Sequence, residues 1–233
     1  MTQAVAAIVP SAGLSRRFGG RNKLFAPIGG VPLIVHTLRA LQASPSIRWI
    51  LPVVQKRDRR RLAELLSRHR ISKALAPCLG GATRAESVAR GVAALPQQAR
   101  WVLVHDAARP CLRASLIASV VRAARRHGAV ACGLPAAVTV KAADAQGQVR
   151  CTLDRETLWL IQTPQAFRRD WFAQAIARAD HGLAGFPDDA SLVEAAGFRV
   201  QLVPGDPLNV KVATQADLIF AKTILINGFQ RPR

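Results

Sequence analysis

The 233 residues suffice for one α/β domain with a sizeable core, and half are hydrophobic, yet no apolar run reaches bilayer-spanning length. Lysine and arginine total 33 against 14 acidic residues, a formal charge of +19 that favours anionic ligands. The chain has no Tyr and few other aromatics to stack on bases, so a dedicated nucleic-acid binder is not expected.

Met1-Thr2-Gln3 carries no basic region, and the apolar stretch 4–9 is too short for a signal peptide, so a cytoplasmic location is expected. That stretch reads as the first strand. A helix over 32–43 with proline in its first turn follows, then a strand at 47–54 and a helix at 58–70 with Leu62, Leu65 and Leu66 on one face. A weak strand at 74–79, a helix at 85–95, a strand at 101–104, a helix at 113–127 and a strand at 129–134 continue the alternation. Such βα rhythm predicts a largely parallel sheet. Between 135 and 157 the rhythm breaks. Residues 138–141, a turn at 144–147 and 149–153 read as a β-hairpin that projects from the body. The rhythm returns at 158–162, with helices near 170–179 and at 189–196, strands at 198–203 and 209–212, and a final helix over 215–226 capped by Thr214. Residues 228–233 read as a frayed tail. The chain ends soon after that helix, so no fused second enzyme is expected. Cys78, Cys111, Cys132 and Cys151 lack metal-ligand spacing and are expected to be buried free thiols.

The strand at 101–104 runs into His105-Asp106-Ala107-Ala108-Arg109-Pro110. Ligands of open α/β sheets bind at the carboxyl ends of strands. There, Asp106 has the chemistry to hold a metal or accept from a hydroxyl, and Arg109 to grip a phosphate. His105 reads as a strand-end residue rather than a catalyst. The first strand leads into small residues, Ser11-Ala12-Gly13, whose N–H groups can cradle phosphate oxygens, with Arg17 and Lys23 following. Neither GxGxxG nor a Walker motif is present, since Leu24 follows Lys23. A second small-residue loop, 79–87, has backbone groups and the Ser87 hydroxyl to set against a nucleobase edge, or serves as a flexible helix entry. Asp188 and Asp189 read as a helix N-cap pair in preference to site residues.

Taken together, segments 80–87, 102–110, Thr139-Val140-Lys141, Arg155 with Leu158-Trp159, Gln162-Thr163-Pro164-Gln165, Asp188-Asp189-Ala190-Ser191 and Asn209-Val210-Lys211 occur in the order of a known family. The chain resembles the 2-C-methyl-D-erythritol 4-phosphate cytidylyltransferases of the non-mevalonate isoprenoid pathway, over nearly its whole length. The resemblance implies a Rossmann-like, three-layer nucleotidyltransferase fold over 1–233, with a mixed, mostly parallel sheet and a dimerisation arm at about 135–157. It implies that Ser11, Ala12 and Gly13 wrap CTP, that Gly81, Ala82 and Ser87 lie against cytosine, and that Arg17 and Lys23 hold the triphosphate. Asp106, Arg109, Thr139, Thr163 and Lys211 would gather round the polyol phosphate and the reacting phosphorus. Arg155 would reach into the partner subunit's site, making the active unit a homodimer. Three departures stand out. Asn22 replaces a usual proline, which is expected to loosen its loop; Ala82 replaces a common Asp; Pro187 replaces a frequent Thr.

The implied reaction is attack by the substrate phosphate on the α-phosphorus of CTP. Both reactants are anions, and the nucleophile is already ionised, so charge neutralisation and in-line positioning are the main tasks. Arg17, Lys23 and Lys211 are the expected catalytic cations. Mg²⁺ is the expected cofactor, bridging phosphate oxygens, with Asp106 a candidate additional ligand. A cytidylyltransferase for another polyol phosphate, such as ribitol 5-phosphate, shares these features and stays open as an alternative.

Overall fold

A computed structural model describes residues 4–13, 18, 22–179 and 182–226. The chain opens with β1 (Ala4–Pro10), whose alternation sends Val5, Ala7 and Val9 to one face and Ala6 and Ile8 to the other, all buried. A 3-10 turn at Lys23–Phe25 leads to a minimal hairpin of β2 (Pro27–Ile28) and β3 (Val31–Pro32), closed by Gly29 and Gly30 at positive φ. α1 (Leu33–Ala43), β4 (Ile47–Val54), α2 (Arg59–Arg68), β5 (Cys78–Leu79), α3 (Arg84–Ala93) and β6 (Ala99–Val104) follow. α4 (Ala114–His127) and β7 (Ala129–Pro135) precede the arm hairpin of β8 (Val140–Ala143) and β9 (Val149–Leu153). The chain then forms β10 (Trp159–Arg168), α5 (Arg169–Ala177), α6 (Asp189–Ala195), β11 (Gln201–Pro204) and α7 (Gln215–Ile226).

The central sheet has the order β11-β7-β10-β6-β1-β4-β5. Every pairing is parallel except those of β10, which runs antiparallel between β6 and β7. Apolar residues of α1, α2, α4 and α7 cover one face, and those of α3, α5 and α6 cover the other. The fold is thus α/β in three layers with a mixed, mostly parallel sheet. No helix among the described residues is long and apolar enough to cross a membrane.

Several expectations needed correction. The strand expected at 74–79 shrinks to Cys78–Leu79 and one bridge between Ala74 and Ile50, because Pro77 has no N–H to give a ladder. The segment at 158–162 is the start of a longer antiparallel strand, whose register shifts between Ile161 and Gln165, where Pro164 could not pair. Residues 209–212 form no strand. Asn209 is buried and its amide donates to the Thr163 carbonyl at 2.7 Å, while Val212 N–H donates to the Ala108 carbonyl, so the apolar alternation there serves a packed loop. Of the thiols, Cys111 and Cys132 are buried and burial pushes both up to about 12, but Cys78 is half-buried and Cys151 lies exposed on the arm.

Candidate active site

The site forms where the carboxyl ends of β1, β4 and β6 meet the start of α3. After β1, Ser11 N–H donates to the Val53 carbonyl at 2.7 Å, and Gln55 Nε2 donates to the Ala12 carbonyl at 2.6 Å, so β4 fixes the small-residue turn. Gly80 lets the second loop come against the first. A Cβ there would lie 2.7 Å from both the Ala12 Cβ and the Ser87 hydroxyl. Ser87 Oγ accepts from Gly81 N–H at 3.0 Å and donates to the Thr83 carbonyl at 2.8 Å. Thr83 caps α3 by accepting from Glu86 N–H, and the Glu86 carboxylate reaches back to Ala82 N–H. The second loop is therefore held by its own side chains, and Ser11 and Ala12 by β4 and Gln55, before any ligand arrives.

Behind the loops lies a charged floor centred on Asp106. Its Oδ1 accepts from Arg84 Nε at 3.1 Å, its Oδ2 pairs with Lys211 Nζ at 2.7 Å, and Arg109 Nε stands 3.9 Å away. Burial alone would raise the Asp106 carboxyl, but Arg84, Lys211 and Arg109 together hold it well below the usual carboxylate range. Arg84 also donates to the wholly buried Asp189 at 2.8 Å. Burial works against the Arg84 charge, yet Asp189 and Asp106 hold its guanidinium above its ordinary value. Three cations thus face two carboxylates, and the floor is net positive.

A neutral histidine supports this floor. His105 Nε2 lies 3.2 Å from the Arg109 carbonyl, which can only accept, so the ring proton is on Nε2. Thr163 Oγ1 then donates to His105 Nδ1 at 3.1 Å while accepting from Asp106 N–H at 3.0 Å. Full burial lowers the His105 pKa to about 4, against the opposing pull of the Arg109 carbonyl. Arg109 Nη1 donates to the Asn209 carbonyl at 2.7 Å, tying the strand end to the Lys211 loop.

One cleft of about 560 Å³ brings together Ser11, Ala12, Gly13, Lys23, Gly81, Ala82, Ser87, Asp106 and Lys211. Arg109 and Thr163 lie behind its floor, buried, and act on it through Asp106. Thr139 and Arg155 are both exposed at the base of the arm, where Val140 pairs with Leu153, and neither lines this cleft. Arg17 lies outside the described residues. Sequence reasoning passed over Arg84, although a basic residue in the first turn of a helix opposes the helix dipole and signals that its charge is used elsewhere. The aspartate pair divides its work: Asp188 caps α6 by accepting from Ser191 N–H at 2.9 Å, and Asp189 anchors Arg84. Of the three departures, Asn22 caps the 3-10 turn at Lys23–Phe25, accepting from Leu24 N–H and donating to Asp58 at 3.0 Å, while the loop before it lies mostly outside the described residues. Ala82 lines the cleft, and Pro187 is exposed outside it.

The family model for 2-C-methyl-D-erythritol 4-phosphate cytidylyltransferase matches residues 5–227. A relative of that name from Dehalococcoides mccartyi is 39% identical over 98% of this chain and 99% of its own length. Another from Trichormus variabilis is 38% identical over 94% and 96%. Among solved structures, a 4-diphosphocytidyl-2C-methyl-D-erythritol synthase from Anaerococcus prevotii superposes with a TM-score of 0.85 at 28% identity, covering 96% of each chain. The 2-C-methyl-D-erythritol 4-phosphate cytidylyltransferase from Thermus thermophilus gives 0.75 at 32% identity, covering 95% of this chain and 98% of its own. The small-residue loops, the charged floor and these likenesses all lead to one assignment: the chain belongs to the 2-C-methyl-D-erythritol 4-phosphate cytidylyltransferase family.

Proposed function

We propose that this chain is a nucleotidyltransferase that joins CTP and 2-C-methyl-D-erythritol 4-phosphate, releasing pyrophosphate, in the cytoplasmic supply of isoprenoid precursors. The observation that carries this reading is a net-positive floor around Asp106 set directly beneath two pre-formed small-residue loops. Such a cleft suits two anions that must approach each other. A substrate phosphate oxygen forms the new bond to the α-phosphorus, the bond from that phosphorus to the β-phosphate oxygen breaks, and pyrophosphate leaves with the electron pair. No proton needs to move, in keeping with a neutral, fully engaged His105.

In this reading Lys23, with Arg17, gathers the triphosphate, and Lys211 draws the attacking phosphate towards it. Lys211 is 45% exposed and held by Asp106, so it is aimed into the cleft and still open to an incoming anion. Asp106 is then a positioning residue for Lys211. As a metal ligand it fits poorly, because both its oxygens face cations and it is the one carboxylate among the described residues lining the cleft. Mg²⁺ is accordingly assigned to the nucleotide's own phosphates, where it neutralises charge. Thr139 and Arg155, exposed near the arm with Val138, Val149 and Leu153, are assigned to the cleft of a second copy in a homodimer. Ribitol 5-phosphate is the less favoured substrate, since the matching family model carries the methylerythritol name.

The test is pyrophosphate release with CTP, Mg²⁺ and either polyol phosphate, with ATP, GTP and UTP as controls. Release is expected with CTP and methylerythritol phosphate. Silence with every CTP pairing would overturn the proposal. Lys211→Ala should lower turnover by roughly 10²–10³, the usual effect of losing one preorganised donor to a transition state.

A further inference from the structure

β6 ends at the candidate site and begins at a second cleft, of about 990 Å³, closed by the last turn of α4 and the β10–α5 junction. Arg100, Arg125, Arg126, His127, Arg168 and Arg169 line it against a single acid, Asp170. That acid is already paired with Arg168. The Arg169 guanidinium donates to the carbonyls of Pro96 and Leu95, closing the end of α3. Arg100 and Arg126 are exposed and have no carboxylate or hydrogen-bond partner among the described residues. Like charges gathered on a concave wall repel one another until an anion sits between them.

The rings at this cleft are not offered to a ligand. Trp101 is buried in the core, and Trp171 stacks on Phe198 at 4.6 Å, lies under Arg168 and packs against Gly128. Base stacking, on which single-strand binding depends, is therefore missing, while guanidinium forks suited to phosphoryl oxygens are abundant. We infer that this cleft is a second anion site, which takes a free linear polyphosphate through Arg100 and Arg126. It lies apart from the CTP cleft, and its occupancy does not depend on the activity proposed there.

Calorimetric titration of the full chain with tripolyphosphate tests this. Wild type should show two sites, one in each cleft, and R100E/R126E should keep one, with CTP-dependent turnover and melting temperature unchanged. R100K/R126K keeps the charge but loses the fork, and should weaken the second site by about tenfold. A second site absent from wild type, or unmoved by R100E/R126E, would overturn the inference. Unaltered affinity in R100K/R126K would do the same, reducing the cleft to a diffuse counter-ion field. Tighter binding of a single-stranded oligonucleotide than of tripolyphosphate at these arginines would show the occupant to be nucleic acid and overturn it too.

Discussion

His105 is held neutral inside the fold, and its cost appears when the solution turns acid. Its folded pKa of about 4 lies below the unfolded value of 6.5, so the unfolded chain binds the proton first as pH falls. The stabilisation is complete above pH 6.5 and is lost progressively as pH falls through about 4. Between pH 7.5 and 5.0 this group should remove about 2 kcal/mol of stability. Urea midpoints at the two pH values, compared with His105→Gln, check this: the variant should be less stable at pH 7.5 and lose less on acidification. Equal losses in both proteins would contradict it. Arg84 makes a second residue-scale prediction. Arg84→Leu leaves Asp189 buried without its counter-charge and should cost about 3 kcal/mol, read from the same denaturation curves. Asp106 and Lys211 were legible because acid and base types stood at strand and loop ends within recognisable segments. The link from Arg84 to Asp189 was not, since it joins positions 105 residues apart and nothing local announces such a pairing.

At the scale of elements, the turn from α4 into β7 depends on Gly128, whose φ is +87° and whose missing Cβ leaves room for the Trp171 ring. Gly128→Ala combines an unfavourable backbone with overpacking and should destabilise by about 2 kcal/mol or more, measured as a shift in thermal midpoint. The arm behaves differently. β8 and β9 pair only with each other, and all five residues of β9 are exposed. On the proposed homodimer, replacing the hairpin by a short linker should leave the isolated subunit folded, as read by circular dichroism, yet convert the dimer to a monomer in sedimentation and suppress turnover. Helices and inner strands could be read from sequence because apolar period and burial agree along them. β5, β10 and the 209–212 loop could not, because prolines and side-chain hydrogen bonds override the apolar pattern there. The three layers and the mixed sheet were implied by the resemblance, but the strand order had to come from the structure, since only pairing shows that β10 is the strand that runs against its neighbours.

Over the whole molecule, the +19 charge is not spread evenly. Part of it stands at the two ends of β6, beneath the small-residue loops and again at the basic cleft opposite, while Arg57, Arg59, Arg60, Arg61 and Arg68 form a further basic run on and beside α2. A field of this sign draws anions in, and lowering ionic strength should therefore raise kcat/KM for CTP more than kcat. The central claim is that one anion attacks another across the Asp106 floor. It is tested most directly by supplying 2-C-methyl-D-erythritol 4-phosphate labelled with ¹⁸O in its phosphate, together with CTP, and following the label by ³¹P NMR. The account predicts that all the label stays with the diphosphocytidyl product, including the new bridging oxygen, and that pyrophosphate carries none. Label in pyrophosphate, or no labelled product at all, would contradict it.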